Sequence, residues 1–257
     1  MMNIAEFMRN IRRRETPFYD RLYRIAKSLR RIEVPYIPGF YDLLYHERNL
    51  RINLWRTFWR IIYYQPMFRS RCVSCGKNLH IFHSGQGLPL IQGDLQIYIG
   101  DDVRIYDRIT LAALTIGNKP KLIVGDNTEI TQTIAILVGN EVTIGSNCII
   151  SSTLIADNPA HNLNYKERLH KLKKDKIGKI KIGGNVWAAT QSIIIGEVTI
   201  GHGAIIAPQA VVRKDIPPFC LVAGDPAKIV KKLPCPDEMI DQLGHAGYQE
   251  YLNAKVE

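Results

Sequence analysis

Six aliphatic residues, Ile182, Ala188, Ile194, Ile200, Ile206 and Val212, follow one another at intervals of six without a slip. Three earlier series keep the same interval: Val138, Ile144, Ile150 and Ala156; Val124, Ile130 and Ile136; Ile99, Ile105 and Leu111. A helix repeats near 3.6 residues and a plain strand at two, so a period of six fits neither. It fits short strands separated by sharp corners, each strand sending an aliphatic residue inward. Gly, Asn and Asp at the corners allow the backbone conformations that tight turns need. Three such hexads close a triangular coil, and stacked coils bury a continuous column of Ile and Val. Gly, Asn, Thr and β-branched residues dominate residues 95–213, which argues against a helical alternative.

Charge divides the chain. Residues 1–72 hold 15 Lys and Arg against 6 Asp and Glu, and 14 of the 22 aromatic residues; residues 73–257 are nearly neutral. The reading is therefore a basic aromatic arm (1–72), a repeat domain (73–233) with an insert at 157–179, and a C-terminal helix (234–257). Helical spacing in the arm predicts helices over Ile4 to Arg14, Pro17 to Arg31 and Phe40 to Tyr64. Pro35 and Pro38 break the run and Pro66 ends it. Three readings of the arm stand side by side: helices packed on the body, an interfacial anchor on an anionic membrane surface, or a nucleic-acid contact. No nucleic-acid motif supports the last. No apolar run is long enough to span a bilayer and Met1 to Arg14 lacks a secretory h-region. The expectation is a cytoplasmic protein, peripheral on the inner membrane face, with five reduced cysteines.

The end of the repeat domain reads Gly184-Asn-Val-Trp187, Gly196-Glu-Val-Thr-Ile-Gly201, Val211-Val-Arg-Lys-Asp-Ile-Pro-Pro218 and Val222-Ala-Gly-Asp-Pro-Ala-Lys228. On these motifs the stretch from Leu95 to Leu233 resembles the left-handed parallel β-helix acyltransferases. Within them it is similar to the maltose/galactoside/xenobiotic acetyltransferase group and to bacterial O-acetyltransferases of surface polysaccharides. The resemblance implies a mainly β fold, a left-handed coil, a homotrimer with sites between subunits, acetyl-CoA as acyl donor and no metal. It places Trp187 and Thr190 beside the pantetheine or thioester, and Arg213, Lys214, Lys228 and Lys231 near the CoA phosphates. Ala189 and Gln209 stand where the family has glycine, which would narrow the pantetheine path.

The repeat stops at Ala156 and resumes at Ile180, and the insert opens Asp157-Asn158-Pro159-Ala160-His161-Asn162 before turning basic from Lys166 to Lys179. Loops of this size are often functional. Transfer of an acetyl group to a hydroxyl needs a base, and histidine suits that role. Family members carry their catalytic histidine at the start of this insert, which implies His161 as base, with Asn158 and Asn162 at the acceptor. Asp157 has two readings, an orienter of the imidazole or a turn residue capping backbone. His80 and His83 are spaced like a metal pair without a third ligand, and Cys72-Val-Ser-Cys75 has zinc-like spacing without a second pair. The functional expectation is an O-acetyltransferase acting on a sugar hydroxyl of a surface polysaccharide or lipid-linked saccharide. An acyltransferase of a soluble small molecule or an amine, and a non-catalytic scaffold, are the alternatives.

Overall fold

The structure, a computed structural model, describes residues 3–82, 88–106, 108–114, 119–159, 161–162, 164–170, 172 and 177–256. It divides into two compact units, residues 1–52 and 53–257.

The first unit is helical. α1 (Ile4–Arg13) is capped by Asn3, whose side chain accepts from the Ala5 N–H, and α2 (Pro17–Leu29) by Thr16, with Pro17 in its first turn. Phe7 and Tyr19 meet edge to face at 5.8 Å between the two helices. α3 (Phe40–Trp59) crosses into the second unit. A π-turn, Arg60–Tyr64, follows it, and then α4 (Gln65–Arg69). Pro66 does not end the helical run as expected: it lies in the first turn of α4, where a missing N–H is tolerated. Arg69 donates to the Cys75 and Gly76 carbonyls, and Phe68 is buried at the base of the repeat domain.

The repeat domain climbs coil by coil. β1 (Ser74–Cys75), β2 (His80–Ile81) and β3 (Leu90–Gln92) make the first coil; β4 (Gln96–Ile99), β5 (Arg104–Ile105) and β6 (Ile109–Ala113) the second. β7 (Lys121–Val124), β8 (Glu129–Ile130) and β9 (Ile134–Val138) follow, then β10 (Glu141–Ile144), β11 (Ile149–Ile150) and β12 (Leu154–Ala156). β13 (Lys179–Ile182), β14 (Trp187–Ala188) and β15 (Ile193–Ile195) form the fifth, and β16 (Val198–Ile200), β17 (Ile205–Ile206) and β18 (Val211–Val212) the sixth. Each set of corresponding strands stacks in parallel into one of three faces, the first headed by β1, the second by β2 and the third by β3. β19 (Cys220–Ala223) extends the second face, and β20 (Lys228–Lys232) closes it antiparallel. α5 (Asp237–Asn253), bent at Gly244, ends the chain.

All but one of the period-six residues, Ala156, form the interior. Ile182, Ala188, Ile194, Ile200, Ile206 and Val212 are all buried, as are the three earlier series. In most strands the residue two positions before, such as Val142 or Ile180, also points inward; at β12 the register slips by one, so Ile155, aligned with Ile136 and Ile194, faces the core and Ala156 pairs with the outward Leu137 and Ile195. Each fully buried Ile or Val contributes roughly 1.5–3 kcal/mol of transfer free energy.

The corners set the coil spacing. Asn78, Asp102, Asn127, Asn147 and Asn185 turn from first to second face with left-handed backbones, which Asn and Asp tolerate best among non-glycine residues. The Asn127 amide donates to Asn147 Oδ1 at 2.8 Å, linking successive corners. Beside them, a Cβ at Gly145 would stand 2.6 Å from the Gly183 backbone, so this close approach requires glycine.

Candidate active site

The coils differ in length. Ile182 pairs with Ile200, a step of 18 residues, which is three hexads; Ile144 pairs with Ile182, a step of 38. The excess leaves the solenoid where the third face turns back to the first, between β12 and β13. The base of this insert is fastened shut. Asp157 is buried, and its carboxylate accepts from the N–H groups of Gly139 (2.6 Å), Asn140 (2.7 Å) and Glu141 (3.0 Å) in the preceding coil. The Gly178 N–H donates to the Asp157 carbonyl at 2.9 Å, tying the far end of the insert to its start.

Asn158 is buried, and its amide donates to Asp157 Oδ1 at 2.9 Å. Of the two readings of Asp157, the backbone-capping contacts are the ones present, and they take up its acceptor sites. Asp215 does the same at the equivalent corner two coils later, where it accepts from the Thr199 N–H.

Beyond this base the insert makes its own turn. The His161 N–H donates to the Pro159 carbonyl at 2.7 Å, and the Asn162 amide donates to the carbonyls of Glu167 and His170. Asn158 and Asn162, expected to hold the acceptor, thus spend their amide donors inside the chain. His161 is exposed. Leu172 is 5% exposed, whereas Tyr165 and Leu169 are 74% and 97% exposed. Sequence reading missed Leu172, although it is a lone aliphatic residue in a run of lysines. Lys171, Lys173, Lys174 and Lys176 of the basic run, and His83 of the histidine pair, lie outside the described residues.

The expected donor residues fall into two groups. Arg213 and Lys214 follow β18 and so occupy the same solenoid corner as the insert, two coils further on; Arg213 faces Asp225 at 3.9 Å. Trp187, 48% exposed, is on the outside of the second face, in a row with Ile149, Ile205, Leu221 and Lys231. Lys228 is on the same edge strand, opposite Ala223. Thr190 is exposed at the turn from second to third face, beside an amide pair absent from the sequence reading: Gln209 donates to Gln191 Oε1 at 3.0 Å. Both glutamines have left-handed backbones, at φ 60° and 61°. Within one chain, then, the insert that carries His161 leaves the corner at which Arg213 and Lys214 lie two coils further on, and Trp187 shares one face with Lys228 and Lys231.

The cysteine pair is chemically quiet. Burial pushes the Cys72 thiol up to about 12, with Cys75 adding to the shift, and burial raises Cys75 as well. Neither supplies a thiolate near neutral pH. Among the described residues no cluster of three or more His, Cys, Asp or Glu could hold a metal ion.

No family model matches the chain. A Staphylococcus aureus protein named "Putative acetyltransferase" is 41% identical over 73 residues, 28% of this chain and 36% of that protein. The chloramphenicol acetyltransferase of Klebsiella aerogenes is 40% identical over 57 residues, 22% of this chain and 27% of that enzyme. The chain thus spans about a third of the length of the curated relatives it matches. Among solved structures, the N-acyltransferase AntD of Bacillus cereus, with dTDP and 3-hydroxybutyryl-CoA, superposes with a TM-score of 0.52 at 19% identity, covering 74% of this chain and 96% of that one. The chain has the hexapeptide-repeat acyltransferase fold. Its solenoid is a left-handed parallel β-helix, as the motifs of residues 184–228 imply.

Proposed function

We propose that this protein is an acetyl-CoA-dependent O-acetyltransferase acting on a sugar hydroxyl in surface-polysaccharide or lipid-linked saccharide biosynthesis. The observation that carries the reading is an exposed histidine, His161, on an insert whose base is locked to the solenoid by Asp157. A base must be held in place yet open to its substrate, and this arrangement supplies both conditions. His161 takes the proton of the acceptor hydroxyl as its oxygen attacks the thioester carbonyl, and the CoA thiolate leaves. Arg213 and Lys214, with Lys228 and Lys231, hold the CoA phosphates, and Trp187 and Thr190 flank the pantetheine. Asp157 serves as the anchor of the loop.

The chain acts as a homotrimer, with each site completed by a neighbour. Tyr165 and Leu169, apolar and exposed on the insert, support this reading, since a neighbouring subunit would cover them. The arm holds the trimer on an anionic membrane surface at the inner face. In support, Leu43, Leu50, Leu54, Trp55, Phe58, Ile61 and Ile62 recur at helical spacing and are all more than half exposed. Among the described residues no helix is long and apolar enough to cross a membrane.

The test is release of free CoA from acetyl-CoA with hydroxyl-bearing saccharides, run beside amino-sugar acceptors. Release that depends on the hydroxyl acceptor is expected. Release only with amines, or none with either, contradicts the proposal.

A further inference from the structure

The outer side of a solenoid strand adds little to its core, so outward residues are free to vary, and on the second face they do. Continuing along one outward row from the first coil, the residues are Phe82, Tyr106, Thr131, Ser151, Ala189 and Ala207, each N–H bonded to the next coil in register. The two large rings stand together at the N-terminal end. Phe82 and Tyr106 stack at 4.2 Å between centroids and 12° between planes, and His80 lies against Phe82 at 4.2 Å. In the adjacent outward row, His80 is paired with Arg104, and Arg104 with Glu129. The inward residues of these strands, Ile81 and Ile105, complete the core without this cluster.

Two guanidiniums border the rings. Arg104 faces Glu129 at 3.8 Å, and burial together with the same carboxylate raises the Tyr106 pKa. Arg60 donates to His80 Nδ1 at 3.1 Å. A guanidinium accepts no hydrogen bond, so Nδ1 is the unprotonated nitrogen and the imidazole is neutral. Burial lowers the His80 pKa, and Arg60 and Arg104 lower it further, in the same sense. Arg60 opens the π-turn, where the Gln65 N–H bonds back to the Arg60 carbonyl; such turns are frequent at functional sites. Two permanent cations and one carboxylate leave the cluster net positive.

The geometry points to a binding site for an anionic saccharide on this cluster, separate from the His161 corner. The rung beyond Tyr106 is Thr131, too small to cover the ring. A pyranose can present its C–H face to Tyr106 at about one strand spacing, roughly 4.7–4.9 Å. Arg104 and Arg60 present planar forks to a sugar carboxylate or phosphate, and Glu129 accepts from a ring hydroxyl. The site lies on coils one to three and the insert on coil four, so it grips a distal part of a long acceptor. Its ligand class rests on the saccharide reading proposed above, but its test needs no turnover.

The experiment is titration calorimetry on the full chain with tetragalacturonate, glucose 6-phosphate, neutral maltotetraose and uridine diphosphate. Either anionic sugar should bind, and whichever binds identifies the anion. Affinity should fall about tenfold or more in Arg104→Gln and in Tyr106→Ala, persist in Tyr106→Phe, and be unchanged in His161→Ala. Arg104 is exposed, so its variant reports on the site even if Tyr106→Ala fails to fold. Equal binding of maltotetraose, binding of uridine diphosphate alone, or anionic-sugar affinity unchanged in Arg104→Gln would overturn the proposal. So would loss of self-association in Tyr106→Ala without any saccharide binding.

Discussion

The solenoid and the helices that precede it hold apolar side chains in opposite ways. In the solenoid, residues six apart are buried almost without remainder: Ile136, Ile144, Ile150, Ile194 and Ile206 are each 0% exposed. In α1, α2 and α3 no residue is buried, although leucines, phenylalanines and tryptophans recur at helical spacing. The contrast shows what each pattern determines. A coil must place its aliphatic residue inward or lose its pairing with the coils on either side. An amphipathic helix keeps its backbone bonds whatever its apolar face meets, so its periodicity specifies a helix and leaves the partner open.

The largest expected effect separates chemistry from packing. His161→Ala should lower turnover by about 10²–10⁴ while the melting temperature stays put, as measured by CoA release beside thermal unfolding. An equal loss of stability and activity would instead make His161 part of the insert's structure. Within the solenoid, Ile150→Ala should cost about 2–5 kcal/mol in denaturant unfolding, because it opens a cavity in a column with no exposed side. Gly145→Ala should be destabilising as well, through contact with the Gly183 backbone rather than through a cavity.

Asp157→Asn sharpens the comparison at the insert itself. The variant places an amide N–H2 among three backbone N–H donors, and about 1–3 kcal/mol of stability should be lost in the same assay. Normal stability with lost turnover would return Asp157 to the role of imidazole orienter. The smallest stability effect belongs to the helical region. Trp55→Ala and Phe58→Ala should change unfolding by no more than about 0.5 kcal/mol. The same pair should weaken cosedimentation with anionic vesicles, mostly in the component that persists at high salt. A large stability loss would instead assign these rings to packing.

Much of the solenoid was legible because its period is written directly in the sequence. The positions it named, from Ile99 to Val212, are the interior except at Ala156, where Ile155 takes the inward place. What lay beyond it has physical reasons. Outward neighbours depend on coil length, and the coils step by 24, 25, 20, 38 and 18 residues. No fixed interval therefore connects Phe82 with Tyr106, or His161 with Arg213. The resemblance named residues of the candidate site, but only the structure showed that Asn158 spends its amide on Asp157 at the base of the insert and Asn162 on the insert's own turn. Pro66 was read as a stop because a proline usually is one. The π-turn before it shifts the helix so that the missing N–H falls in a first turn. Leu172 was hidden because a single aliphatic residue has no period.

The central claim is that the interrupted corner, and not the uninterrupted faces, is where transfer occurs. A crystal structure of the full chain with CoA tests it most directly. The account predicts CoA phosphates on Arg213 and Lys214, and the thiol within reach of a His161 imidazole from the same or a neighbouring subunit. A thiol directed away from every His161 in the assembly would contradict it.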